Sequence, residues 1–130
     1  MLSETTIRFS LWLACTFNLL AAVVFAFPSS AIGQQLGLPR SVSPLYASLV
    51  ALFVALFGLA YGWLARRAVI DRPMLGLGSI GKFAAFTVAA ALWLAGAIPS
   101  VVVLVAMGDL AFAALWFSWL RSERGAATAT

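Results

Sequence analysis

Apolar positions along this chain gather into four long runs, separated by short polar breaks. The runs cover about residues 7–27, 44–65, 78–97 and 101–120. Each is close to the ~20 mostly apolar residues that a helix needs to cross a bilayer. Pro28 and the serines after it stop the first run, Arg66 and Arg67 end the second, and Arg121, Glu123 and Arg124 close the fourth. Gly96, Pro99 and Ser100 mark a tight turn between the last two. Pro44 suits the first turn of a helix, where its missing N–H is no loss. Ala31 to Leu38 reads as a short interfacial helix, and Ala68 to Leu77, with Asp71, Arg72 and Pro73, as a linker in water. The pattern predicts an all-α, four-transmembrane-helix bundle, up-down-up-down. It forms one domain over residues 1–124, with a small polar tail at 125–130 expected to be disordered.

The first run has the apolar character of a signal peptide. It holds Asn18, lacks a clean small-x-small cleavage site and is followed by three more spans, so it reads as a retained span.

Composition agrees with this pattern. Hydrophobic residues make up 64% of the 130 positions and charged residues 9%, against about 25% charged in soluble domains. A water-soluble core of this length cannot hide so much apolar surface, so the bilayer is the expected solvent and partner. The net charge of +4 would suggest nucleic acid in a soluble protein, but the positive charges flank apolar spans and form no basic face, so no nucleic acid is expected.

Those charges orient the chain. Arg8, Arg66, Arg67, Arg72, Lys82, Arg121 and Arg124 fall on one side of the predicted bundle, and Arg40 alone on the other. The positive-inside rule makes the crowded side cytoplasmic, with both termini inside, and argues against dual topology. Trp12, Trp63, Trp116 and Trp119 lie toward that end, and Tyr46 and Trp93 toward the outer one, as interfacial belts would.

With one cysteine, Cys15, and no histidine, the chain offers no internal disulfide and no ligand set for zinc, haem or iron–sulfur; no cofactor or metal is expected. Small residues do recur at helical spacing: Ala51, Ala55, Gly58 and Gly62 in the second span, and Ala85 and Ala89 in the third. Such faces let helix backbones approach closely. They read as bundle packing, or as an interface with a second copy or another membrane protein.

The residues with chemical potential are polar ones placed inside spans. Asp109 sits mid-span, where a carboxylate costs at least ~2.5–3.5 kcal/mol. Lys82 is the cation placed to offset it. It precedes the tight turn by about 16 residues, and Asp109 follows it by about 10, an axial offset of roughly 9 Å at 1.5 Å per residue. Asn18 lies at a depth similar to Asp109, and Tyr61 at that of Lys82. The four are expected to form one intramembrane polar cluster opening toward the cytoplasm, either a small-molecule or ion site or an ion pair that fixes helix register.

Family signatures narrow the field. Small multidrug transporters keep a membrane-embedded Glu in their first helix, where this chain has Asn18. Dual-topology fluoride channels break their third helix, and residues 81–97 show no break. Vitamin K epoxide reductase-like proteins need a Cys-x-x-Cys. Gly-Leu-Pro at 37–39, Gly-x-x-Tyr at 58–61, Gly-Lys at 81–82 and Gly-Asp-Leu-x-Phe at 108–112 resemble small bacterial four-helix integral membrane proteins with no assigned function. The resemblance implies fold and a multi-pass location in the bacterial plasma (inner) membrane, and nothing about activity. The leading expectation is a non-catalytic subunit or accessory protein of a membrane assembly. The alternative is a small transporter or channel protomer using Asp109 and Lys82. A membrane enzyme acting on a lipid-like substrate comes last.

Overall fold

A computed structural model describes residues 3–127, with side chains as far as Ser122. It is all helical among these residues: α1 (Glu4–Ala26), α2 (Ala31–Gln35), α3 (Pro44–Arg66), α4 (Arg72–Leu94) and α5 (Ser100–Ala127). α1, α3, α4 and the Ser100–Ser122 part of α5 are each long and apolar enough to span a membrane. Residues 125–127 of the expected tail continue α5 instead, and 128–130 lie outside the described residues.

Local chemistry sets the helix ends. Ser3 caps α1 by accepting the Thr6 N–H, and Pro44 opens α3. Two ends share one device. After α2, Gly37 at φ +71° donates to the Gln34 carbonyl while Leu38 donates to Gly33; after α4, Gly96 at φ +72° donates to Trp93 while Ala97 donates to Leu92. These are Schellman motifs, which need a residue in the left-handed region and so favour glycine.

One boundary corrects the sequence reading. α4 starts at Arg72, within the segment expected to be a watery linker. Asp71 accepts the Met74 N–H and Pro73 fills the first turn, a start signal that the surrounding charges masked.

The long helices pair as two hairpins. In the first, Arg8 meets Ala65, Cys15 meets Gly62 and Asn18 meets Val54. In the second, Gly76 meets Leu120, Lys82 meets Asp109 and Trp93 meets Ser100. Numbers rise along one helix as they fall along its mate, so each pair is antiparallel. Contact within each hairpin is extensive, and contact between the hairpins is sparse.

The hairpins join at the end that carries the N-terminus and the link between α3 and α4, here the terminal end. A buried cluster of Ile7, Leu11, Leu64, Ile70, Leu75, Trp116 and Trp119 fills that end. Trp116 and Trp119 therefore do not form an interfacial belt. Trp116 is fully buried and donates its indole N–H to Ser10 Oγ at 2.8 Å, because the rotation of α5 turns both rings inward. Trp12 and Trp63 remain exposed. Gly78 makes the join close: a Cβ there would lie 2.9 Å from the Tyr61 ring and 3.3 Å from Trp116.

Candidate functional site

Above this aromatic floor, each long helix contributes one residue to a polar cluster. Lys82 on α4 is 4% exposed, a position few lysines hold unless paired. Its Nζ donates to Asp109 Oδ1 on α5 at 2.5 Å and to Asn18 Oδ1 on α1 at 2.6 Å. Asn18 in turn donates from Nδ2 to the Val54 carbonyl of α3 at 3.3 Å. The side chains close the axial gap estimated from sequence, with no bridging group between Lys82 and Asp109.

Tyr61 joins through its ring. The ammonium lies 5.5 Å from the centre of the Tyr61 ring, 5.0 Å from Phe17 and 5.4 Å from Phe112. These separations are within the ~6 Å at which a cation is attracted to an aromatic face. Sequence places neither Phe17 nor Phe112, the last residue of the Gly-Asp-Leu-x-Phe motif, in the polar cluster; an apolar ring in a span looks like lipid contact until its rotation is known. Lys82 thus has two oxygen acceptors and three aromatic walls. Asp109 differs: its side chain is 15% exposed and faces a cavity. Among the described residues, Lys82 supplies the one hydrogen bond to its carboxylate.

That cavity holds about 650 Å³ and lies between the hairpins. Lys82, Asp109, Asn18 and Tyr61 form one end; the walls are apolar, among them Ala21, Phe53, Ala85, Ala89 and Val102. The sequence reading turned the cluster toward the terminal end, and the structure turns it the other way. Trp116, Leu64 and Leu75, all fully buried, fill the terminal end, and the cavity runs from the cluster toward α2 and the turn after α4. Depth is legible in a sequence; the splay of two hairpins is not.

Leu36 and Leu38 reach over the far end. Between them Gly37 abuts the second hairpin, since a Cβ on it would sit 2.7 Å from Pro99 Cδ. The loop that does this is well tied: Gln34 donates to the Pro28 and Leu38 carbonyls, and Arg40 donates to Gln34. The side walls carry exposed apolar residues, Phe53 and Phe57 on α3 and Leu20 on α1, where contact between hairpins is sparse.

The small-residue faces divide between two roles. Gly58 and Gly62 receive α1: a Cβ on Gly58 would lie 3.0 Å from Asn18 Cβ, and one on Gly62 3.0 Å from Cys15 Sγ. Ala51 is buried and Ala55 half-buried on the same helix. Ala85 and Ala89 are different. Assigned to helix packing from their spacing, they line the cavity instead, and Ala85 is exposed, because α4 diverges from α3 above Gly78. Among the described residues, no His, Cys, Asp and Glu group is arranged to hold a metal ion.

No family model, curated protein or solved structure matches this chain.

Proposed function

We propose that this protein is a non-catalytic accessory protein of the bacterial plasma membrane that holds a lipid-soluble molecule between its two hairpins. The observation that carries this is an apolar cavity of about 650 Å³ ending on a buried, internally neutralised ion pair. Small-molecule sites have this form: some 300–1,000 Å³, mostly apolar walls and a few fixed polar groups. Access is lateral, from the bilayer, through the sparsely packed sides. In this reading the helices run up-down-up-down with both termini cytoplasmic. Lys82 is buried and leaves the charge count, yet six cations still face one.

Two features favour binding over the alternatives. The fully buried Trp116, Leu64 and Leu75 stand between the cluster and the terminal end, which suits a receptacle blocked at that end better than a channel. Asp109 and Lys82 neutralise each other's charge, which suits an anchor better than an acid–base pair.

The test is photolabelling. The full chain in nanodiscs is exposed to an alkyl alcohol carrying a mid-chain diazirine, and adducts are mapped by mass spectrometry. Labels are expected on Phe53, Ala85, Ala89 and Val102, and Ala85→Trp should remove them by filling the space. Labels confined to outward residues such as Phe9 and Leu52, or indifference to Ala85→Trp, would overturn the proposal.

A further inference from the structure

We infer that the cavity selects a neutral ligand with one hydroxyl at the end of an apolar body, and that the hydroxyl donates to Asp109. This rests on the binding reading above and adds the class of molecule bound.

The selection follows from which polar valences at the cavity floor are taken. Lys82 donates to Asn18 and Asp109, and three rings wrap the rest of its ammonium. A fatty carboxylate would place a second anion beside Asp109, which is repulsive. The Asn18 amide accepts from Lys82 through its oxygen and gives one of its two N–H donors to Val54. Asp109 has acceptor capacity left, since an ionised carboxylate offers about four lone-pair sites and Lys82 supplies its one hydrogen bond among the described residues. Tyr61, whose hydroxyl can donate, lines the same end, so a ligand hydroxyl, which donates and accepts at once, suits the valences left open.

Charge decides between the possible donors. The Lys82–Asp109 pair is neutral as a unit, and the walls around it are apolar. An alkylammonium would add a net charge in low dielectric and place a second cation beside Lys82, which is repulsive. A hydroxyl satisfies the open acceptor and adds no charge. The body must be slim and apolar. From Asp109 to Val102 the cavity follows α5 for seven residues, roughly 10 Å at 1.5 Å per residue. That matches an alkyl or isoprenoid chain lying along the helix axis with its hydroxyl at the floor.

The experiment is competition against the diazirine probe by four molecules of one chain length: 1-decanol, decyl methyl ether, decylammonium and decanoate. Each is corrected for its partition into the nanodisc. Decanol is expected to compete about tenfold better than the ether, the scale of one hydrogen bond to a charged acceptor. It should also exceed both ions. In the double variant Lys82→Met, Asp109→Leu the alcohol-to-ether ratio should fall to about one. If that variant does not fold, the wild-type comparison decides alone. Equal competition by alcohol and ether would overturn the hydroxyl assignment and leave the binding reading standing. Strongest competition by decylammonium or decanoate would overturn the neutral class. If no competitor acts and the probe labels no cavity wall, the binding reading itself falls.

Discussion

The indole N–H of Trp116 donates to the hydroxyl of Ser10 across 106 residues of sequence, inside the packed end of the molecule. The bond crosses from one hairpin to the other. Lipid tails are as apolar as side chains, so apolar burial alone does not drive helices together in a bilayer, and packing and hydrogen bonds take that role. Ser10→Ala strands the indole donor in a buried site. It should lower resistance to unfolding in mixed micelles by about 1–2 kcal/mol. Trp116→Phe with Ser10→Ala should lose less than the sum of the two single changes. Strict additivity would mean that the bond contributes nothing beyond the ring's packing.

A second prediction concerns the ion pair. Lys82→Met leaves the Asp109 carboxylate without its cation in an apolar cavity, and Asp109→Leu leaves the ammonium likewise. Each should cost ~3–5 kcal/mol, while the double change should approach neutrality. The measurement is a double-mutant cycle on unfolding in detergent. Asn18→Leu should weaken the same cycle, since Asn18 ties Lys82 to Val54.

The first hairpin depends on two glycines. Gly58→Leu and Gly62→Leu each push a side chain into Asn18 or Cys15, starting from a Cβ at 3.0 Å. Overpacking of this kind typically costs about 1–3 kcal/mol. Leu52→Ala, on an exposed position of the same helix, should be mild. Equal loss at all three sites in a detergent-resistance assay would remove the close-packed seam from the account.

Orientation is checked with reporters. A fusion after Thr130 should report cytoplasm, and an insertion near Gln34 should report the outside. Reversal of either signal would contradict the charge argument.

Much of this architecture was legible because span length and apolar content are one-dimensional. The cost of Asp109 inside a span also points to Lys82 and Asn18. What escaped the sequence depended on rotation and splay. Trp116 sits near the end of a span, where a belt residue would, but it faces inward. Ala85 keeps the spacing of a packing residue, but its helix has diverged. Arg8 reads as a topology charge; in the structure its guanidinium pairs with Glu4 and donates to the Ala65, Arg67 and Ala68 carbonyls. Those groups at the end of α3 lack intrahelical partners, so the clamp satisfies what the helix leaves open. One basic residue near a span end carries no sign of which carbonyls it will find.

The five residues from Arg67 to Asp71 that connect the hairpins have a consequence for how loose the joint is allowed to be. Two separate subunits meeting over so sparse a seam would have little contact to hold them together. A short tether turns their meeting into an intramolecular event at an effective concentration on the order of millimolar. Covalent continuity thus stands in for affinity. The halves can stay together while touching mainly at one end, and the space they leave between them can belong to a guest.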